Sequence, residues 1–454
     1  MTKVMLIQPP FTQPIESKKR CLLPLGIAYI GGYLRKHGIE VELLDCVVEG
    51  YNSDCIENGK NTFGLDGFNI KIKIEKFNPD FVGVSCLMTA QEHNMIDVCK
   101  IAKNVNPKIH TIVGGCHPSV FPEKCIKNKY IDSVVIGEGE HSTLEIVQGK
   151  KKGIVKNKPI DINKIPWPAR DLLPMEKYIK INMPENIFSP NKKVTQVLTS
   201  RGCPFSCIFC ATTNFHGQWR GRNPYDVFQE VKMLKEKYGI EEINFVDENL
   251  VLNRCRTKEL MVMLGDLDIK WSNPGGIWID GLDNYILDLM KKAGCYQLTF
   301  PVESFNKHIL KKVIHKPLKV ERVKGLVKHC HKLGIDVHAF FVCGFPEQTK
   351  EMLENDFNKA REAKFDSASF HIITPLPGSK IYEQYKDKIN LDNINYIKAT
   401  IPHPQISSVE LETLINTFNI NFNKSYKWRH PYKFFKKYVL IPYRKKFTEP
   451  FRRV

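Results

Sequence analysis

Short apolar runs alternate with amphipathic stretches through the first 148 residues. Segments 4–7, 39–45, 81–86, 110–115 and 132–140 are apolar and short, as buried strands are. Between them, 26–37 and 94–104 carry apolar residues at helical spacing, and Gly38 stops the first of these helices. Strands alternating with helices predict a parallel sheet wound on both faces. Ligands of such sheets bind beyond the carboxyl ends of the strands. Gly114, Gly115, Gly137 and Gly139 fall at those ends, where a missing side chain lets a ligand approach the backbone.

The pattern changes over 149–193, which is rich in lysine and proline and reads as a connector. It resumes at 194–200 with a strand. Asn223 then caps a helix with Pro224 in its first turn, and Val227, Val231, Leu234 and Tyr238 recur on one face before Gly239. Segments 243–249, 276–280, 297–304, 335–346 and 367–378 are the further strand candidates. Repeated strand–helix units over 194–378 predict a barrel with its active groups at the C-terminal strand ends. Residues 379–454 form an extension.

The strand at 194–200 leads into R-G-C-P-F-S-C-I-F-C, with Cys203, Cys207 and Cys210 inside eight residues. A four-iron cluster is fully caged by four thiolates. Three leave one iron open for a small molecule. Zinc is the competing occupant, but its sites usually draw four ligands from two separated pairs. No second pair is present, although His216 could supply a fourth ligand.

The C-x3-C-x2-C run, with Phe209 before its last cysteine, resembles the cluster motif of radical S-adenosylmethionine (SAM) enzymes. The segments 24–34, 114–119 and 137–140 resemble the cobalamin-binding domain that precedes many such cores. P-W-P-A-R-D (166–171) resembles the hinge of the same two-domain family, though a plain spacer reads equally well. The resemblance implies a Rossmann-like (flavodoxin-like) domain over 1–148, the linker, and a partial (β/α)6 TIM-like barrel. The implied cofactors are a [4Fe-4S] cluster on Cys203, Cys207 and Cys210, SAM, and cobalamin. The corrinoid would rest on the loops after Gln8, Ser85, Gly115 and Gly137, including Gly114, Glu138 and Gly139. Asp247, Glu248 and Asn249 stand where the core contacts SAM, and Glu303 stands where it would meet the ribose or ammonium. Trp219, Arg220 and Arg222 could serve cluster, corrinoid or core. The chain lacks the D-x-H-x-x-G motif that supplies a lower axial histidine to many cobalamin proteins.

The implied reaction is methylation of an unactivated carbon. A deoxyadenosyl radical would abstract hydrogen, and the substrate radical would take methyl from methylcobalamin. A cyclase or rearrangement enzyme of the oxidative porphyrin type is the first alternative. A non-catalytic iron–sulfur or corrinoid binder is the second. No catalytic acid or base is assigned; His216, His338 and His371 are candidates, with a structural role the simpler reading for each.

The chain has 454 residues and a net charge of +18. No run of eighteen apolar residues suggests a membrane-spanning helix, and the start lacks signal-peptide character. Its fourteen cysteines therefore point to a reducing, cytoplasmic setting. Residues 424–454 hold eleven Lys or Arg and one acid, Glu449, among aromatics. Peripheral contact with an anionic membrane is expected of this tail, and nucleic acid is the less favoured partner because no nucleic-acid module is visible. A small-molecule or lipid substrate and an electron donor such as flavodoxin or ferredoxin complete the expected partners.

Overall fold

The computed structural model describes residues 1–156, 158–181, 189, 193–391, 397–431 and 435. Most of the basic tail, on which the membrane expectation rests, lies outside them.

Two six-stranded parallel sheets organise the chain. The first contains β1 (Lys3–Gln8), β2 (Glu40–Asp45), β3 (Phe81–Ser85), β4 (His110–Gly114), β5 (Ser133–Ile136) and β6 (Gly153–Lys156). Their order is 2-1-3-4-5-6. The strand order reverses between β1 and β3, so the crevice for a ligand opens there. Helix α1 (Leu25–Lys36) covers one face through Ile27, Ala28 and Leu34. Ile70, Ile74, Met95 and Val98 cover the other. Burial on both faces explains the near-continuous apolar runs of β1 and β3.

The sixth strand corrects the expected boundary at 148. Gly153–Lys156 pairs in parallel with Ser133–Ile136, inside the segment read as linker. Its lysines obscured it, because an edge strand has one open side and can carry charge.

The second sheet runs in chain order: β7 (Val194–Val197), β8 (Glu242–Phe245), β9 (Lys270–Asn273), β10 (Cys295–Glu303), β11 (Asp336–Cys343) and β12 (Ser367–Ile372). It is the open six-stranded barrel that the strand–helix repeats predicted. The expected strand at 276–280 is not one. The third strand is Lys270–Asn273, whose Trp271 is fully buried, and 276–280 is irregular chain leading into the short 3-10 helix Ile279–Gly281. Ile277 and Ile279 are apolar because they plug the barrel. Meanwhile Ser272 and Asn273 are polar inside it, bonded to Asn244 Oδ1 at 2.8 Å and to Phe245 C=O at 2.9 Å.

Helix α3 (Ser408–Lys424) closes the far edge. Leu411, Ile415, Phe418 and Phe422 pack into the barrel core. Asn419 accepts from Phe370 N–H at 2.9 Å and donates to Phe370 C=O at 2.8 Å. Asn423 does the same at Ala368, at 3.2 and 2.9 Å. Two side-chain amides one helical turn apart thus satisfy the outer backbone groups of β12.

Residues 167–170 of the connector form a packed strap. Ala169 N–H donates to Ala28 C=O at 2.9 Å, and a Cβ on Gly32 would lie 2.8 Å from Trp167 C=O. Arg170, 1% exposed, enters the barrel side and meets Glu230 Oε1 at 2.5 Å and Gln196 C=O at 2.8 Å. Glu230, on α2 (Pro224–Tyr238), is itself fully buried and takes Arg222 on its other oxygen at 2.5 Å.

Candidate functional site

The cluster loop leaves β7 at Thr199 and Ser200. Both are tied to Asp247 at the end of β8: Thr199 Oγ1 donates at 2.6 Å, Thr199 N–H at 3.1 Å and Ser200 Oγ at 2.5 Å. Asp247 is therefore a buried anchor of the loop and lines neither cavity described below. Gly202 then turns with φ +86°, and a Cβ there would come within 2.5 Å of Gln218 C=O. Gly202 N–H reaches Glu248 Oε2 at 3.3 Å. Cys203, Cys207 and Cys210 are each half-buried. Burial raises the Cys203 thiol, and burial pushes the Cys207 thiol up to about 11, with the other two cysteines adding to the rise. The three thiols stand on one short loop, near enough to influence one another electrostatically. Three thiols on one loop with no second pair fit an iron–sulfur cluster better than zinc.

Two cavities flank this loop. The smaller, about 310 Å³, lies over the crevice of the first sheet. Ser85, Gly114, Gly115, Gly137, Glu138 and Gly139 all line it; Gln8 does not. Glycines line one side of it, since Gly26 and Gly83 also belong to the wall and a Cβ on Gly26 would meet nothing within 4 Å. A glycine-rich side lets a broad, flat ligand such as a corrin approach the backbone there. Among its described lining residues the one histidine, His216, comes from the barrel side. Gly115 has φ +108°, and a Cβ there would lie 2.5 Å from Cys86 C=O. Gly115→Ala is expected to cost about 1–3 kcal/mol through backbone strain and to weaken cobalamin retention, measured as cobalt per chain after gel filtration.

The larger cavity, about 640 Å³, lies inside the barrel mouth. Cys210, Glu248 and Glu303 line it. Glu303 ends β10 with φ +66° and pairs with Lys316 Nζ at 3.0 Å. Asn249 lies under the loop, its C=O accepting from Trp219 Nε1 at 2.8 Å and its side chain beside the Cys203 thiol. His371 lines the cavity, and burial lowers its pKa. His338 is held between Ser367 Oγ at 2.6 Å and Ser369 Oγ at 3.2 Å. Burial drives it down to about 4, so it is a neutral structural group at neutral pH.

Phe215, His216 and Glu248 belong to the walls of both cavities. His216 stands between Glu138 Oε1 at 3.2 Å and Glu248 Oε1 at 3.4 Å. Glu138 also pairs with Arg220 and, at 3.4 Å, with Arg201. Burial alone would raise Glu138, but hydrogen bonds from His216 and Arg220 and the two guanidinium charges bring it down to about 2. Its contribution to stability is complete above the ordinary glutamate value of 4.5 and is lost as pH falls toward 2. Acid unfolding is therefore expected to be shallower in Glu138→Gln than in the parent between those pH values, measured by near-UV circular dichroism.

Four contributors were missed in the sequence. Arg201 binds Glu140 at 2.7 Å and lies over the Tyr29 ring at 4.8 Å, joining the domains. Its place before Gly202 was the available signal. Cys116, Ser119 and Val120 reach the barrel cavity from the first domain, and only the folded geometry shows that.

The B12 binding domain model matches residues 15–147, and the Radical SAM superfamily model matches 197–360. A cytidylyl-2-hydroxyethylphosphonate methyltransferase from Streptomyces wedmorensis is 32% identical, over 93% of this chain and 90% of its own length. The chain belongs to the cobalamin-binding radical SAM enzymes. Its cofactors are a [4Fe-4S] cluster, SAM and cobalamin, and the two cavities and the cysteine loop fit them. The enzyme is also 25% identical to an anaerobic magnesium-protoporphyrin IX monomethyl ester cyclase from Rubrivivax gelatinosus, over 88% of this chain and 73% of the relative. Its fold is shared with the radical SAM methyltransferase TsrM from Kitasatospora setae, solved with cobalamin and a [4Fe-4S] cluster. That match has a TM-score of 0.68 and 16% identity, and covers 85% of this chain and 78% of the other. Among the described residues no helix is long and apolar enough to cross a membrane.

Proposed function

We propose that the enzyme methylates an unactivated carbon of a small molecule bound in the barrel cavity. The observation that carries this reading is the shared wall: Phe215, His216 and Glu248 border both cavities, so the barrel site and the corrin slot are immediate neighbours, as methyl transfer between them requires. The bound cofactors supply radical hydrogen abstraction and a transferable methyl group. The chain's own residues position and shield. Asp247 and Gly202 fix the cluster loop. Glu303 and Glu248 offer carboxylates to the polar end of SAM. Phe340, Val342 and Ile372 make the wall apolar and exclude water.

The methyltransferase name of the Streptomyces relative supports the reading. Ring closure is the second reading, favoured by the resemblance to the Rubrivivax cyclase. Incubation with methyl-labelled SAM and an extract of small molecules decides between them. Label gained with the mass of one added methylene is the expected result. A product that loses hydrogen and gains no label would replace methylation by cyclisation. No 5′-deoxyadenosine from the fully loaded, reduced protein would leave only a binding protein.

A further inference from the structure

Asp366 stands just before β12, at the end of the barrel opposite the cluster loop. Its carboxylate is fully buried. Oδ2 accepts from Val337 N–H at 2.8 Å and lies 3.0 Å from His331 Nε2. Oδ1 lies 3.8 Å from His430 Nδ1. His331 sits in the last turn of the helix Val323–Lys332, and His430 follows α3 at the start of the basic tail. The two imidazoles meet edge to face, with ring centroids 5.3 Å apart. One ligand atom from each of the three residues lies within 4.8 Å of the other two.

The surrounding hydrogen bonds set these groups for coordination. His430 Nε2 lies 3.3 Å from Phe365 C=O, an acceptor that keeps the ring proton on Nε2. Nδ1 then turns its lone pair toward Asp366. Metal-bound imidazoles are commonly oriented by such a second bond to a carbonyl. Arg429 is a neighbouring cation. Its guanidinium is turned onto the Phe365 and Asp366 carbonyl oxygens, each at 3.4 Å, and lies over the Phe422 ring at 4.0 Å. That charge and the single carboxylate argue against calcium, which takes about six to eight oxygen ligands. Two imidazoles with one carboxylate suit zinc.

We propose that His331, Asp366 and His430 bind a zinc ion that clasps the start of the tail to the floor of the barrel. Zinc holds nitrogen and oxygen ligands at about 2.0–2.2 Å, which puts tetrahedral ligand atoms about 3.3–3.6 Å apart. The separations of 3.0 and 3.8 Å bracket that spacing, and small ring rotations close the difference. The metal replaces the proton shared by His331 and Asp366; that ring proton moves to His331 Nδ1, and no electron is exchanged. A fourth position is left for water, which can enter beside His331, whose side chain is 21% exposed. The inference is independent of the cofactor chemistry at the other end of the barrel.

The test uses the full chain with its cluster and cobalamin loaded, so that Cys203, Cys207 and Cys210 are occupied by iron. Zinc chloride is added without oxygen, retained zinc is counted after gel filtration, and affinity is read by competition with a chromophoric chelator. About one zinc per chain is expected, with an X-ray absorption shell of nitrogen and oxygen at about 2.0–2.1 Å and no sulfur. His331→Gln and His430→Gln should each weaken zinc binding by at least about 100-fold, more than the loss of an outer partner costs. Iron per chain and 5′-deoxyadenosine release should stay within about twofold in both. His331→Cys should restore binding and add one sulfur at about 2.3 Å. Zinc should also slow amide hydrogen exchange across 425–431 in the parent and not in the Gln variants. A parent that retains no zinc, a parent shell containing sulfur, or unchanged affinity in both Gln variants would overturn the proposal and leave a hydrogen-bonded His–Asp–His group. A parent that binds zinc but releases no nucleoside would strike the radical reading alone.

Discussion

Cys207→Ala is expected to eliminate 5′-deoxyadenosine release while leaving the fold intact. The thiol is one of three on the C-x3-C-x2-C loop, so its loss leaves two ligands for a cluster that already lacks a fourth. Outer groups around metal centres typically cost 10–100-fold when removed; a direct ligand should cost at least about 100-fold. The loop itself should hold, because its anchors are backbone bonds and side chains elsewhere. Cys210 N–H donates to Cys207 C=O at 3.0 Å and Ile208 N–H to Ile314 C=O at 3.0 Å, and neither needs the sulfur. Iron and sulfide counts after anaerobic reconstitution, with the visible absorption of the cluster, check the result. Cys255→Ala is the control: that cysteine is exposed and should retain full iron and full activity. Equal iron loss in both variants would point to a general effect of cysteine removal and away from the three-cysteine site.

Glu230→Leu should be the most destabilising single change at the domain junction. Glu230 is fully buried with a guanidinium on each side, Arg170 from the strap and Arg222 from the barrel. Burial opposes its charge, but the two arginines overcome that and lower its pKa. Removing the carboxylate leaves two buried cations facing each other with Asp226, the Tyr29 hydroxyl and carbonyl oxygens as partners. Breaking a buried pair costs about 3–5 kcal/mol. The midpoint of denaturant unfolding, measured without oxygen, should fall accordingly. A loss under about 1 kcal/mol would mean that water reaches the arginines and that the strap is not clamped as described.

The sequence made the sheets legible because buried parallel strands are short apolar runs, and it made the cluster loop legible because thiolate spacing leaves few occupants. It was least informative where the reason for a residue lies far along the chain. Lys270–Asn273 looks polar because its side chains bond across the barrel floor, and 276–280 looks like a strand because it plugs the barrel. Asp247 was picked out from its strand-end position, but its carboxylate faces the loop backbone. Glu138 was expected on the corrinoid and does line that slot, yet its charge is spent on Arg201, Arg220 and His216. Gln8 ends β1 outside the slot. Pairings such as Arg170 with Glu230 span sixty residues, and no local pattern encodes them.

The two amides of α3 have a consequence for how the chain can be cut. β12 is the last strand of an open parallel sheet, and Asn419 and Asn423 occupy the positions a neighbouring strand would take. A fragment ending at residue 378 would contain every cofactor-facing residue described above. It would also present β12 as a bare template for a second molecule. Such a fragment should be lost to self-association before it can be loaded, so the smallest piece that can carry the chemistry extends through Lys424.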